Sequence, residues 1–152
     1  MTRKFTGDQI LGATHNAGKL QEMTELFAPF GVTVKGAAEM NLGEPEETEN
    51  TFIGNARIKA RAAVAATGRP ARADDSGIEV AALDNAPGVY TADWSETPNG
   101  RDFVMAMTKT HRLLEEANAP HPRRARFCAT LVLSLIHISE PTRRYAISYA
   151  GF

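Results

Sequence analysis

The sequence predicts an α/β domain with a mixed or mostly parallel central sheet flanked by helices. Short apolar runs typical of buried strands alternate along the chain with amphipathic helical patterns. Polar turns separate these segments, and no internal repeat or low-complexity tract interrupts the alternation. Ligands of such sheets bind beyond the carboxyl ends of the strands, so the residues after each strand are the first candidates for a site.

The first 40 residues predict a strand, a helix and a second strand. Residues 9–14 form a short apolar run, and a β-branched run begins at Val32, which we expect to lie beside the first strand. Residues 19–30 between them carry a helical pattern. Its apolar face consists of Leu20, Met23, Leu26 and Phe27.

The middle of the chain predicts an acidic loop and a long helix. Residues 41–50 (NLGEPEETEN) combine glutamates with a proline and show neither the helical nor the strand periodicity of apolar residues. A helix is expected over residues 51–67, with Asn50 as the capping candidate and Gly68 as the stop.

The second half continues the alternation. Residues 70–83 (PARADDSGIEVAAL) predict a strand that is interrupted by DDSG and resumed by IEV, and a short strand is expected over residues 89–91. A third helix is expected over about 101–117, followed by a strand from Arg124. The third helix offers Phe103, Val104, Met107 and Leu114 for packing.

The composition excludes several classes of function. With 17 Lys and Arg against 18 Asp and Glu, the net charge is −1, so no global field attracts nucleic acid or an anionic membrane. No apolar run approaches the roughly 20 residues that cross a bilayer. The single cysteine, Cys128, excludes an internal disulfide and suits a reducing compartment. We therefore expect a cytoplasmic protein without nucleic-acid or membrane partners.

The first candidate site is the turn after the first strand, residues 14–19 (THNAGK). Glycine permits close approach of the backbone to a ligand, a helix N-terminus offers free N–H groups, and Lys19 adds a positive charge. These features favour a phosphate site, although an ordinary strand-to-helix turn with a solvated lysine has the same residues.

The second candidate is the pair Asp74 and Asp75. Adjacent carboxylates at a strand end repel each other unless a cation lies nearby, and Mg²⁺ is the usual partner. The alternative is a turn in which one aspartate caps backbone N–H groups. Further oxygen ligands are available from the acidic loop, namely Glu44, Glu46, Glu47 and Glu49.

The third candidate is the pair Asn55 and Lys59 on the second helix. Residues four apart lie on one helix face, and an amide beside an ammonium suits contact with a phosphate or a base. A solvated helix surface is the simpler interpretation of the same pair.

Six motifs in this order resemble the inosine triphosphate pyrophosphatase family: T-x-N-x-G-K, EPEET, TFIGNARIKA, ADDSG, APGVYTADW and RARF. The resemblance runs from about residue 9 to Leu133. It implies hydrolysis of the non-standard purine nucleoside triphosphates ITP, dITP and XTP to monophosphate and pyrophosphate. It also implies an elongated two-lobed fold, here truncated at the C-terminus, and a homodimer.

The resemblance also implies roles for residues. Asp75 would be the catalytic carboxylate, as Mg²⁺ ligand and general base, with Asp74 beside it and Glu46 or Glu47 helping to hold the metal. The expected substrate contacts, including the helix pair, are Thr14, His15, Asn16, Ala17, Gly18, Lys19, Asn55, Lys59 and Ser76.

The last 20 residues depart from this pattern. We expect residues 1–132 to be the N-terminal portion of a single domain and residues 133–152 to be a non-native tail. Residues 133–143 (LSLIHISEPTR) correspond codon by codon to the transposase adapter end used in short-read library preparation. A short native ending with two strands is the alternative, and a non-catalytic or unstable fragment is the functional alternative to the enzyme.

Overall fold

The structure is a computed structural model that describes residues 5–135 and the backbone of residues 139–150; residues 1–4, 136–138 and 151–152 lie outside this description. Over these residues three α-helices and seven strands follow one another. They are β1 Gln9–Gly12, α1 Ala17–Phe27, β2 Thr33–Gly36, α2 Phe52–Thr67, β3 Ala71–Val80, β4 Glu96–Thr97, β5 Gly100–Arg101, α3 Phe103–Glu116, β6 Arg124–Ser134 and β7 Ser139–Ala150.

Five of these strands form one sheet in the order β2-β1-β3-β6-β7. The first strand lies parallel to both of its neighbours, with Gln9 opposite Thr33 of β2 and Leu11 opposite Ala71 of β3. The predicted α/β class with a central mixed sheet is therefore confirmed. A separate hairpin of β4 and β5, which the sequence did not predict, turns at Pro98 and Asn99, and Gly100 at the start of β5 has a φ of 105°.

The chain divides into two compact units. The first unit runs up to Asp75 and resumes over Thr130–Arg143, and the second contains Ser76–Ala129 and continues from Arg144.

Helices cover both faces of β1 in the first unit. Successive strand residues point to opposite faces, and Ile10 packs with Met23 of α1 whereas Leu11 packs with Ala63 of α2. The α2 side is lined by small residues that allow close contact with the sheet: Ala56, Ala60 and Ala73 are fully buried with Val132.

The packing between β1 and α1 explains a glycine in the middle of the sheet. A Cβ at Gly12 would lie 3.2 Å from both Leu20 and Met23 and 3.3 Å from Val34. Few real Cβ contacts are that close, so a larger residue would push α1 or β2 away. Gly12 thus sets the distance between this helix and the sheet.

Two expectations for the helices are wrong in detail. Leu26 does not join the packed face of α1, since 57% of it is exposed. The cap of α2 is Thr51 and not Asn50, because the Thr51 hydroxyl oxygen accepts a hydrogen bond from Gly54 N at 3.1 Å. The predicted stop at Gly68 is confirmed, with a left-handed φ of 64°.

The second half contains further corrections. The expected strand over residues 89–91 is a single 3-10 turn, Gly88–Tyr90. Three of the four predicted packing residues of α3 are exposed, namely Phe103 (61%), Val104 (69%) and Met107 (60%), while Leu114 is buried. The periodicity correctly predicted a helix. It did not show which of the apolar side chains of α3 would be buried.

No helix in the described ranges is both long and apolar enough to span a bilayer. The expected non-native tail covers residues 133–152, of which 136–138 and 151–152 lie outside the described residues.

Candidate functional site

An uninterrupted β3 carries both aspartates. The sequence analysis predicted a break at DDSG, but β3 continues from Ala71 to Val80. Because side chains alternate along a strand, Asp74 and Asp75 point to opposite faces of the sheet. The expectation that the two aspartates stand at a strand end is wrong, and each carboxylate has its own lysine.

Asp75 lies in a cluster with one lysine and one glutamate. Lys59 Nζ is 3.4 Å from Asp75 Oδ1 and 2.9 Å from Glu47 Oε1. The helix α2 supplies the lysine, the acidic loop supplies the glutamate, and only 13% of the lysine side chain is exposed. Of the two glutamates that the sequence left open, Glu47 is the one whose carboxylate contacts Lys59, although both residues are exposed.

Burial raises the pKa of Asp75, and the neighbouring Glu47 raises it further, while the attraction of Lys59 opposes the rise. Asp75 is 6% exposed, and its Oδ2 is buried without a hydrogen-bond partner among the described residues. A buried polar atom without a partner carries a desolvation cost. This oxygen is therefore suited to accept a proton or a cation.

Burial alone would lower the pKa of Lys59. The charges of Asp75, Glu47 and Asp74 outweigh burial, and the net effect is a raised pKa. Lys59 is consequently a firmly protonated cation that holds two carboxylates together.

The other aspartate pairs with the turn after β1. Lys19 Nζ lies 2.5 Å from Asp74 Oδ2. The turn itself is ordered by side chains: Asn16 N donates to Thr14 Oγ1 at 3.1 Å, and Asn16 Oδ1 accepts from Lys19 N at 3.1 Å. Asn16 thereby caps α1 and leaves residues 15–18 exposed.

A cavity of about 340 Å³ in this unit is lined by residues of the turn after β1, the acidic loop and α2, but not by Asp74 or Asp75. His15 comes from the turn, Glu44 and Pro45 from the acidic loop, and Lys59 from α2. The remaining lining is largely alanine from α2 and its neighbours. The turn, the loop and the helix therefore meet around one space, which the sequence alone did not establish.

Two further predicted contacts, Asn55 and Ser76, are not fully exposed. Asn55 is 2% exposed, and its Oδ1 accepts a hydrogen bond from Glu49 N at 3.0 Å. It does not lie on a solvated helix surface, which was the simpler interpretation of its position. Ser76, which follows Asp75 in β3, is half-buried.

The predicted metal ligands do not form a ready-made metal centre. Within the described part of the chain, no group of three or more His, Cys, Asp or Glu side chains is arranged to hold a metal ion. Two carboxylates, those of Asp75 and Glu47, converge on the ammonium of Lys59.

The second unit contains a larger cavity of about 630 Å³, lined by apolar residues of α3 and by Trp94. Lys109 Nζ lies 4.3 Å above the Trp94 ring. None of the predicted site residues lines this cavity. Its lining also includes charged residues, among them Glu115, Arg123 and Arg124.

The fold and the site define an α/β protein in which two lysines pair with carboxylates and one of them, Lys59, lines a cavity, a chemistry suited to phosphorylated ligands. The chain matches the Ham1 family over residues 10–145 and belongs to that family.

Relatives support this assignment. A dITP/XTP pyrophosphatase of Ruegeria pomeroyi is 69% identical over 134 residues, which cover 88% of this chain and 66% of that protein. One from Agrobacterium fabrum is 52% identical over 135 residues, covering 87% and 63%. A solved HAM1 protein from Coxiella burnetii superposes with a TM-score of 0.82 at 33% identity, covering 94% of this chain and 71% of that one.

The chain spans slightly less than two thirds of the length of these two curated relatives. The match to the Ham1 family reaches residue 145, past Leu133.

Proposed function

We propose that this chain represents the greater part of a Mg²⁺-dependent enzyme that hydrolyses the non-standard purine nucleoside triphosphates ITP, dITP and XTP to monophosphate and pyrophosphate. The observation that carries the proposal is Asp75, a buried carboxylate with a raised pKa and one unpartnered oxygen among the described residues. The family membership and relatives named dITP/XTP pyrophosphatase support the substrate class.

Asp75 is the proposed general base. Burial raises its pKa and brings it closer to neutral pH, where a base combines ionisation with a useful affinity for the proton. In this role the carboxylate accepts a proton from the water that attacks the α-phosphorus. Lys59 Nζ beside Oδ1 keeps the carboxylate oriented during this transfer.

The residues around Lys59 fit a magnesium ion. Magnesium in nucleotide sites is usually held by one or two carboxylates together with substrate phosphates. Asp75 and Glu47 supply two carboxylates, and Asp75 Oδ2, which has no hydrogen-bond partner among the described residues, offers an acceptor. When bound, Mg²⁺ polarises phosphate oxygens, which is typically worth several kcal/mol of the barrier.

The turn after β1 is the proposed triphosphate site. Residues 15–18 are exposed at the start of α1, where backbone N–H groups favour anions. Lys19 and Lys59 each add a cation that is paired with an aspartate of β3. A triphosphate competes with these aspartates for the two lysines, with Thr14 and Ser76 as further contacts.

We propose a homodimer for the complete protein, because the family resemblance implies one. The composition and the net charge of −1 support a cytoplasmic location without a nucleic-acid or membrane partner. The preference among ITP, dITP and XTP is a property of the complete protein.

A second function remains open because the chain spans about two thirds of its relatives. In this alternative the chain binds nucleotide and Mg²⁺ without turnover, or is an unstable fragment.

An assay of pyrophosphate release from dITP with Mg²⁺ separates the two. The enzyme releases pyrophosphate and the Asp75→Asn variant does not. Equilibrium binding of dITP without release supports the alternative. Equal turnover by wild type and Asp75→Asn would refute the role of Asp75.

We also propose that residues 133–152 are translated adapter sequence. The support is the codon-by-codon correspondence of residues 133–143. Source reads that continue from genomic DNA through this segment without adapter sequence would contradict the proposal.

A further inference from the structure

A buried amide lies in the middle of an apolar helix stripe. Asn55 belongs to the buried face of α2 together with Phe52, Ala56, Ala60 and Ala63, and it is among the largest fully buried side chains. A buried amide is costly unless its oxygen and nitrogen find partners. Asn55 therefore has a role that an apolar residue at this position would not fill.

The partners of Asn55 belong to two different segments. Its Oδ1 accepts a hydrogen bond from Glu49 N in the acidic loop at 3.0 Å. Its side chain also acts on the carboxylate of Asp75, where it opposes the burial-driven rise in the pKa of Asp75. One side chain thus connects the acidic loop to the central carboxylate of β3.

A neighbouring glycine gives an independent indication that the loop is held at this point. A Cβ at Gly54 would lie 2.5 Å from Glu49 Cβ and 2.7 Å from its Cγ. Such distances are shorter than real Cβ atoms show, so the Glu49 side chain packs directly on the backbone of the first turn of α2.

We propose that Asn55 and Gly54 are positioning residues, which fix the acidic loop on α2 so that Glu47 faces Lys59 and Asp75. Glu47 lies two residues before Glu49, a reach of at most about 7 Å in extended chain. Fixing Glu49 N therefore confines the Glu47 carboxylate to the neighbourhood of Lys59, where it is found. The inference rests on the proposed function only for its effect on turnover.

The first test measures the loop without any substrate. Hydrogen exchange of residues 45–50 is compared in wild type, Asn55→Ala and Gly54→Ala. We expect exchange at Glu49 to rise about tenfold in Asn55→Ala, the change that the loss of one hydrogen bond brings. Asn50→Ala, which alters an exposed amide of the same loop, is the matched control and leaves exchange unchanged.

Asn55→Asp separates the two contacts of the side chain. An aspartate keeps an oxygen for Glu49 N but offers no N–H to Asp75. We therefore expect near-normal protection of the loop in this variant, whereas Asn55→Ala loses it. Loop exchange in Asn55→Ala and Gly54→Ala that equals the Asn50→Ala control would overturn the inference, and Gly54→Ala tests it if Asn55→Ala fails to fold.

Turnover gives a second readout. In pyrophosphate release from dITP, Asn55→Ala should require a higher Mg²⁺ concentration for half-maximal rate, about tenfold, because Glu47 is no longer held in place. A merely structural role would reduce the amount of active protein without changing this concentration. Loss of loop protection in a chain whose wild type releases no pyrophosphate would contradict the proposed function and leave the positioning inference standing.

Discussion

The two faces of β3 place neighbouring aspartates in different physical situations. On one face, Asp74 pairs with Lys19, whose side chain is 37% exposed. On the other face, Asp75 shares Lys59 with Glu47, and the lysine is only 13% exposed. A partly exposed ion pair contributes little to stability, whereas a buried carboxylate with an oxygen that has no partner in the described part of the chain is costly. Burial and local charge, and not residue type, distinguish the two aspartates.

The largest expected difference between the two faces is in turnover. Asp75→Asn removes the proposed base and should lower kcat by about 10²- to 10⁴-fold, measured as pyrophosphate release from dITP. Asp74→Asn is the matched control and should retain kcat within a few-fold. Equal losses in the two variants would remove the functional distinction between the faces.

Lys59→Met should have the next largest effect. It leaves the carboxylates of Asp75 and Glu47 without their shared cation, so we expect a loss of about 10²-fold in kcat/KM. Stability should fall by about 1–3 kcal/mol, the cost of stranding charge-assisted hydrogen bonds, as measured by urea denaturation. Lys19→Met, on the other face, is the comparison. If Lys19→Met lowers the free energy of unfolding as much as Lys59→Met does, the greater burial of Lys59 does not explain its contribution to stability.

The pH dependence of the stability of Asp75→Asn is a further test of the difference between the two faces of β3. Because burial raises the pKa of Asp75 above its ordinary value of 3.8, the ionised carboxylate disfavours the folded state. This cost is absent below about pH 3.8, grows as pH rises through the raised pKa, and is constant above it. The variant removes the cost, while Lys59 keeps Glu47 at 2.9 Å as a partner.

We therefore expect Asp75→Asn to unfold at a higher temperature than wild type at pH 7, with the difference vanishing near pH 3.8. Thermal unfolding at a series of pH values measures it. A variant that is less stable than wild type at pH 7 would show that the ion pair outweighs burial.

Asp74→Asn should have the smallest effect. It breaks the ion pair with Lys19 and should cost less than about 1 kcal/mol, with the loss reduced in high salt. Freed from Asp74, Lys19 should bind an anionic ligand somewhat more tightly. Unchanged affinity for pyrophosphate would indicate that Lys19 does not contact the ligand.

The local elements of the first unit follow from the sequence because their causes are local. The apolar run of β1, the β-branched run of β2 and the stop of α2 at Gly68 each depend on adjacent residues. The two faces of β3 escaped prediction because Asp74 to Gly77 have the composition of a turn. Pairing beside β1 and packing against Ala56 and Ala60 outweigh that preference.

The sequence predicted which residues belong to the candidate site, but not which of them contact each other. The sequence left Glu46 and Glu47 equivalent, and the contact with Lys59 depends on how the acidic loop lies on α2. Asn55 offered a clue, since it occupies the same stripe as Phe52, Ala56 and Ala60. An amide on such a stripe is expected to be buried and bonded, and it then marks a contact between distant segments.

The alternation along β3 makes the length of this strand a functional quantity. Removing a single residue between Ala71 and Asp74 would shift every later side chain to the other side of the sheet. Asp75 would then face the Lys19 side, and the residue after it would face Lys59. The side of the sheet on which each aspartate lies therefore depends on the number of residues that precede it in β3. Only the present number places Asp75 beside Lys59 and Asp74 beside Lys19.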